Sequence, residues 1–158
     1  MSEVKMGKVL PKFGMRCKGM LLKKVILIDF DGVIRHWQSQ TIETTEMGLG
    51  LPIGTLFSVA FSESLLLPTI TGQQSHLKWI EKVGVELSNK FSLDIGAKLV
   101  LAWENAPAWI DYDFIEAIRL VSPRAKLVLV TNATDKLSQD IHESELRHSF
   151  DLIINSCQ

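Results

Sequence analysis

The chain has 158 residues, of which 46% are hydrophobic and 22% charged, values typical of a globular protein with one sizeable core. No apolar run approaches the roughly 18 residues that a membrane span requires, so no membrane partner is expected. Cys17 and Cys157 form no metal-ligand spacing. Because there is also no secretory signal, we expect a reducing compartment, the cytoplasm.

The net charge of −1 conceals an uneven distribution of charge. Residues 1–24 carry seven lysines and arginines against one glutamate. A basic arm of this kind can bind nucleic acid, but Phe13 is its only aromatic residue. We therefore predict a disordered basic leader over residues 1–20 and no nucleic-acid partner.

The first predicted element is a buried strand. Val25 to Ile28 are all aliphatic, a pattern typical of a strand that is buried on both faces of a parallel sheet. Asp29 and Asp31 follow directly, and Gly32 permits a sharp turn after them. Residues 21–36 are therefore assigned to an α/β core.

Residues 37–104 are predicted to form a small helical cap inserted into that core. Arg35 to Thr45 is polar and predicts a loop, whereas the next segment shows helical spacing interrupted by glycine and proline. One helix is expected to end near Gly48–Pro52, and a second to begin near Gly54 and close over Ser62–Pro68. A third is expected to run from Thr71 to about Leu87, where Gly84 weakens it or ends it early, and a fourth to begin at Asp94.

Residues 105–158 return to the core. Asp111 is a good N-cap for a helix that reaches Val121. The remaining predicted elements are a buried strand at Lys126–Val130, a polar helix from Lys136 to about His148 and a third strand at Phe150–Asn155. This order predicts an α/β fold with a doubly wound parallel sheet and right-handed crossovers.

The candidate chemistry is concentrated where two of these strands end. Ligands of open α/β sheets bind outside the carboxyl ends of the strands, where Asp29 and Asp31 lie. An aspartate in this position can attack phosphorus as a nucleophile, and an acid two residues later can protonate the leaving oxygen. Thr131 and Asn132, after the second strand, can hold phosphoryl oxygens. Mg²⁺ prefers oxygen ligands and can mask the charges that meet there.

The same two strand ends carry a resemblance to a known family. Asp29-Phe-Asp31-Gly32-Val33 resembles the first signature of the haloacid dehalogenase-like (HAD) hydrolases, and Val130-Thr131-Asn132-Ala133 resembles the second. The likeness runs from about Leu21 to Ser156, in the branch with a small helical cap inserted after the first strand. It is carried further by the Thr71-Gly72 helix with Trp79, the Trp103 region and Phe150-Asp-Leu-Ile-Ile-Asn-Ser156.

The resemblance implies a Mg²⁺-dependent phosphatase of small phosphorylated metabolites that works through an aspartyl phosphate. Asp29 would be the nucleophile and Asp31 the general acid and base. Asp29 through its side chain and Asp31 through its main-chain carbonyl would hold Mg²⁺, while Thr131 and Asn132 would bind phosphoryl oxygens. An acid at position 31 favours phosphoryl chemistry over the further alternative, a 2-haloacid dehalogenase.

The sequence also departs from the family pattern. The Gly and Lys-Pro that follow the third strand in this branch, and the acidic pair after a fourth strand, have no counterpart before Gln158. We therefore expect a C-terminally incomplete member with impaired activity, and the alternative is an inactive remnant or an interaction module. Without a fourth strand, the apolar edge at Val25–Ile28 would be open to a partner or to self-association. A receiver-type signalling domain is disfavoured, because residues 44–105 contain no apolar strand that ends in Asp.

Other polar and aromatic residues are interpreted as structural. His36 is expected in an exposed loop. The helical histidines His76, His142 and His148 are expected to face solvent. The four tryptophans Trp37, Trp79, Trp103 and Trp109 are interpreted as packing residues, and Asp111 and Asp113 as helix-capping acids.

Overall fold

The structure is a computed structural model that describes residues 24–158, so the predicted leader over residues 1–20 lies outside the described residues. The strands of this range are β1 (Val25–Ile28), β2 (Arg35–Trp37), β3 (Ala108–Ile110), β4 (Lys126–Thr131) and β5 (Leu152–Asn155). The helices are α1 (Gln40–Gly48), α2 (Thr55–Ala60), α3 (Glu63–Ile70), α4 (His76–Lys90), α5 (Leu93–Glu104), α6 (Tyr112–Val121) and α7 (Leu137–Glu143), and a 3₁₀ turn spans Leu146–His148. None of these helices is long and apolar enough to cross a membrane.

Three strands form a parallel sheet in the order β1-β4-β5. Ile28 pairs with Leu129 and Leu129 with Ile153, so the strands run in step toward one edge. The connections from β1 to β4 and from β4 to β5 both lead to the next strand in the same direction. Because such connections are right-handed, α6 and α7 lie on the same face of the sheet. The predicted α/β class with a parallel sheet is confirmed.

The main core lies between that face and the two helices. Ile28 and Leu129 are buried on the sheet, and they pack in one cluster with Ile115 of α6 and with Leu137 and Ile141 of α7. Because alternate residues of a strand point to opposite faces, this packing uses only half of each strand. The burial fixes the register, and with it the level at which each strand ends.

The opposite face of the sheet is largely exposed within residues 24–158. Val25 and Leu27 of β1 are 52% and 67% exposed, and Leu152 and Ile154 of β5 are 54% and 48% exposed. β1 is also an edge strand of the described sheet. The prediction that Val25 to Ile28 are buried on both faces is therefore wrong for Val25 and Leu27, whereas Ile28 is buried on the core face.

Helices α1–α5 share a second hydrophobic core. Trp79 and Leu87 of α4 and Leu99 of α5 are buried in it. The indole N–H of Trp79 donates a 3.0 Å hydrogen bond to the carbonyl of Ala60, which ties α4 to the end of α2.

A buried carboxylate fixes the start of α2. Glu46 is fully buried, and its two oxygens accept the backbone N–H groups of Gly54 at 2.7 Å and Leu56 at 2.8 Å. A carboxylate is favourable there, because the first N–H groups of a helix lack partners and carry partial positive charge. Glu46 thus replaces a local N-cap with a side chain from the preceding helix.

The structure contains a short antiparallel ribbon that sequence analysis misses. The loop predicted over residues 35–45 is wrong, because the segment contains β2 and the start of α1. Arg35 pairs with Ile110 and Trp37 with Ala108, so β2 and β3 join the two chain segments that lead into and out of the cap. Three-residue strands are too short to show a period, and the partner lies far along the chain.

Three helix predictions are corrected. The second helix is expected to close over Ser62–Pro68, but Pro68 lies inside a separate helix, α3. The carbonyl of Pro68 accepts the N–H groups of Gln73 and Gln74. Gly84 does not end α4; it lies where α5 comes close, since a Cβ there would be 3.2 Å from a methyl group of Val100. The polar helix is split into α7 and the 3₁₀ turn, with Glu145 between them in a left-handed conformation at φ 56°.

The loop between α3 and α4 lies directly against residues 156–157. Gly72 has a φ of +73°, and a Cβ at this position would lie 2.4 Å from the carbonyl oxygen of Cys157. The hydroxyl of Ser156 donates a 2.5 Å hydrogen bond to the carbonyl of Ile70. This contact between cap and core therefore requires a residue without a side chain.

We expect Gly72→Ala to lower the free energy of unfolding by more than Gly50→Ala does. Both glycines have positive φ, which costs an alanine about 1 to 2 kcal/mol, but a Cβ at Gly50 (φ +71°) meets nothing within 4 Å. The clash with Cys157 adds a further cost of about 1 to 3 kcal/mol. Urea unfolding of the two variants measures the difference, and equal losses of stability would contradict this account.

Candidate active site

Asp29 and Asp31 lie on a tight turn at the carboxyl end of β1. The carbonyl of Phe30 accepts the N–H groups of Ile34 and Arg35 at 2.9 and 2.8 Å, and Phe30 is completely buried, which anchors the turn to the core. Gly32, at φ +81°, supplies the left-handed residue that the turn needs. The side chain of Asp29 is exposed, and one of its oxygens accepts the N–H of Phe30 at 2.8 Å.

Thr131 and Asn132 lie at the carboxyl end of the neighbouring strand. Because Ile28 pairs with Leu129, the residues after β1 lie beside the last residues of β4. Thr131 is buried, whereas Asn132 is exposed. Parallel pairing therefore brings the ends of the two signature segments to the same edge of the sheet.

An ion-pair network holds the carboxylate of Asp31. Arg35 donates from Nε and from one terminal nitrogen to the two carboxylate oxygens of Asp31, at 2.6 and 2.9 Å. The indole N–H of Trp37 donates to the same carboxylate at 3.0 Å. Arg35 also bonds Asp140 of α7, which pairs with Lys136 at 2.9 Å. This chain of charges links the turn after β1 to the helix after β4.

The guanidinium of Arg35 is held by aromatic rings as well as by charge. Its central carbon lies 4.6 Å from the ring centre of Phe30 and 4.7 Å from that of Trp37. Burial alone would lower the pKa of Arg35, but the hydrogen bonds and charges of Asp31 and Asp140 outweigh burial and raise it. Arg35 is therefore a fixed cation that orients Asp31 bidentately.

A cavity of about 690 Å³ lies between the cap helices and this edge of the sheet. Its charged and polar lining includes Asp31, Arg35, Asn132, Lys136 and Asp140 on the core side, and Gln38, Ser39, His76 and Glu104 on the cap side. Apolar and aromatic side chains of α1–α5 line the rest. Asp31 and Asn132 thus reach the cavity, whereas Asp29 and Thr131 are not among its lining residues.

His76 contacts the core, so the expectation that it faces solvent is wrong. It is half-buried, its Nδ1 lies 3.1 Å from the hydroxyl of Thr134, and its backbone N–H donates to Asp135 at 2.7 Å. Burial lowers the pKa of His76, the positive charge of Lys136 lowers it further, and the carboxylates of Asp135 and Asp140 oppose the shift. His142 and His148 are exposed as predicted.

One histidine, two tryptophans and one aspartate that the sequence analysis interprets as structural have defined surroundings in the structure. His36 lies on β2, where it stacks on Trp109 with ring centres 4.3 Å apart and its Nε2 is buried without a partner, so the expected exposed loop is wrong. Trp79 is buried in the cap core, and it and Trp103 also line the cavity. Asp111 caps α6 by accepting the N–H of Phe114 at 2.8 Å, as predicted.

Among the lining residues that sequence reasoning missed are Arg35, His76, Lys136 and Asp140. Arg35, Lys136 and Asp140 lie on segments without apolar periodicity, and Arg35 and Asp140 are far apart along the chain. His76 is the first residue of the periodic helix α4, but the period does not show which partner it has. Only the nearness of Arg35 and Lys136 to the two signature segments could have singled them out.

The metal donors available at this edge are few. Within residues 24–158 no group of three or more His, Cys, Asp or Glu side chains is arranged to hold a metal ion. Mg²⁺, however, commonly binds one or two protein carboxylates and completes its shell with water and substrate phosphate. The exposed carboxylate of Asp29 and the main-chain carbonyl of Asp31 fit that limited requirement.

The fold is similar to that of solved HAD-like hydrolases. A structure from Porphyromonas gingivalis, described as a predicted HAD-like family hydrolase, is 20% identical and superposes with a TM-score of 0.54 over 85% of this chain and 67% of that one. A HAD family enzyme from Bacteroides thetaiotaomicron, solved with magnesium and inorganic phosphate, is 13% identical with a TM-score of 0.58 over 85% of this chain and 69% of that one. The chain therefore spans about two thirds of the length of these proteins.

At such identities the likeness shows the fold, and the chain has the HAD-like hydrolase fold. No family model and no curated protein matches the sequence. The L-2-haloacid dehalogenase from Xanthobacter autotrophicus is 16% identical and superposes with a TM-score of 0.47 over 84% of this chain and 56% of that one.

We expect acid to destabilise the protein partly through His76. Its pKa is lowered in the folded state, so as the pH falls below about 6.5 the unfolded state binds the proton first and the free energy of unfolding decreases. The decrease ends once the pH is below the folded-state pKa. In His76→Gln this part of the loss disappears, whereas the exposed control His148→Gln keeps the wild-type slope. Urea unfolding between pH 7.5 and 5 tests this, and identical slopes in all three proteins would refute it.

Proposed function

We propose that the protein is a Mg²⁺-dependent phosphohydrolase of small phosphorylated metabolites that works through an aspartyl phosphate. The observation that carries the proposal is the parallel pairing of β1 with β4. It brings Asp29 and Asp31 to the same edge as Thr131 and Asn132, beside a cavity that Asp31 and Asn132 line.

In the first half of the reaction Asp29 attacks phosphorus, and the bond from phosphorus to the leaving oxygen breaks. Asp31, protonated at this stage, gives its proton to that oxygen and returns to the carboxylate that Arg35 holds through two N–H donors. In the second half Asp31 takes a proton from water, which attacks the aspartyl phosphate and releases inorganic phosphate and Asp29. The hydroxyl of Thr131 and the amide of Asn132 hold phosphoryl oxygens. Bound Mg²⁺, held by Asp29 and the carbonyl of Asp31, would neutralise charge between nucleophile and phosphate.

We expect Asp29→Asn to lower the rate of phosphate release by at least about a thousandfold, since it removes the group that bonds to phosphorus. Its free energy of unfolding stays close to that of the wild type, because Asp29 is exposed. The control Asp113→Asn removes an exposed acid at the start of α6 and keeps wild-type turnover. Phosphate release with Mg²⁺, and again with EDTA, provides the measurement. Equal activity of wild type and Asp29→Asn would overturn the mechanism, and halide release from 2-haloacids would favour the dehalogenase instead.

The exposed edge of β1 favours a second candidate function, association through the sheet. An apolar edge strand is a template for pairing with another chain; among residues 24–158 β1 has a strand neighbour on one side only, and Leu27 is 67% exposed. This candidate does not require turnover.

For this second candidate we expect concentration-dependent self-association that Leu27→Lys abolishes, because a lysine on an edge strand disfavours pairing. The control Leu120→Lys changes a leucine of α6 that is 81% exposed and leaves association unchanged. Sedimentation velocity over a range of concentrations measures both. A wild type that stays monomeric throughout the range removes this candidate.

A further inference from the structure

The wall of the cavity on the cap side is mainly apolar, and its polar members are Gln38, Ser39, His76 and Glu104. Helices α1–α5 line it mainly with aliphatic and aromatic side chains, among them Ile42, Phe57, Phe61, Leu66, Trp79 and Trp103. A ligand hydroxyl placed against such a wall loses its hydrogen bonds to water and finds no replacement, which is costly. The wall therefore disfavours the polyhydroxylated part of a sugar or glycerol phosphate.

Four of these side chains form one aromatic cluster. The ring centres of Phe57 and Phe61 are 5.2 Å apart and their planes are nearly parallel, and Phe61 lies 6.2 Å from Trp79 in the same orientation. Trp103 meets Trp79 edge to face at 4.9 Å. Phe61 is nevertheless 54% exposed. Its ring lines the cavity and leaves surface for a further flat ring to stack against.

The charges around the cavity indicate a neutral leaving group. In the described part of the chain, α1–α5 contribute no lysine or arginine to the lining, and the lowered pKa of His76 leaves that residue neutral near pH 7. Glu104, an exposed acid, is the only carboxylate from these helices in the lining. A second phosphate or a carboxylate on the ligand would thus meet no cation on the cap side.

We propose that the cavity takes phosphomonoesters whose leaving group is a flat, neutral aromatic alcohol, with the ring against Phe61 and Trp103 and the phosphoryl group toward Asp31 and Asn132. The proposal rests on the proposed function for the reaction and adds the substrate class. The cavity volume of about 690 Å³ lies within the usual range for small-molecule sites, about 300 to 1,000 Å³, and exceeds what a single phosphate needs.

The test uses the full chain with Mg²⁺ and three esters of primary alcohols, so that the leaving groups are chemically similar: benzyl phosphate, cyclohexylmethyl phosphate and glycerol 3-phosphate. We expect kcat/KM to fall in that order. Phe61→Ala lowers kcat/KM for benzyl phosphate by about threefold to tenfold, the worth of one aromatic stacking contact, and lowers it by a smaller factor for glycerol 3-phosphate, which has no ring to stack. The matched control is Phe91→Ala, which also removes a phenylalanine at the end of a cap helix, but one that does not line the cavity.

A second arm separates this inference from the proposed reaction. Benzylphosphonate, which has no cleavable ester bond, is titrated calorimetrically into wild type, Phe61→Ala and Phe91→Ala. Binding that weakens only in Phe61→Ala, without hydrolysis of any ester, would refute the phosphohydrolase and support the ligand class. Hydrolysis of glycerol 3-phosphate as efficient as that of benzyl phosphate would support the phosphohydrolase and overturn the ligand class. The absence of both binding and hydrolysis would overturn both.

Discussion

The parallel pairing of β1 with β4 is the constraint on which the candidate site depends. The two strands are separated in the chain by the whole cap, yet Ile28 and Leu129 lie side by side in the sheet. Burial of alternate apolar residues against α6 and α7 fixes this register, because a slip by one residue would turn Leu127 and Leu129 away from the core. Asp29 and Thr131 are polar residues one or two positions beyond that buried stretch. Their meeting at one edge is a consequence of hydrophobic packing rather than of any attraction between them.

Arg35 connects this edge to the rest of the site. Its guanidinium lies close to the rings of Phe30 and Trp37 and bonds both Asp31 and Asp140. A planar, permanently charged group with several fixed donors can hold two carboxylates at once, which a lysine ammonium does less well. The side chain therefore links a turn, a strand of the ribbon and α7. Because Arg35 is also the first residue of β2, the base of the cap and the carboxylate of Asp31 are held by the same residue.

The cap is held against the core by polar and steric contacts instead of a shared apolar core. Its own hydrophobic cluster is separate from that of the sheet. The contacts between them include Ser156 with Ile70, His76 with Thr134 and Asp135, and the close approach of Gly72 to Cys157. Hydrogen bonds are directional, so these contacts orient the cap relative to the sheet. This arrangement leaves the cavity between the two cores.

The sequence by itself determined the three strands of the parallel sheet, the capped helix after Asp111 and the four polar residues at the strand ends. It could do so because hydrophobic periodicity and helix caps are local signals that report which face of an element is buried. It did not determine how far the strands are buried, because the predicted burial of β1 on both faces is wrong for Val25 and Leu27. Only the tertiary structure decided that β2 and β3 pair, that His76 turns toward the core, and that Arg35, Asp140 and Lys136 belong to the site. These contacts join polar residues from distant segments, and a polar side chain carries no local signal of its partner. The aromatic wall of the cavity could not be predicted from the sequence for the same reason. The sequence predicts that Trp79 and Trp103 are packing residues, but only the packing of α2, α4 and α5 together decides that both also line a cavity.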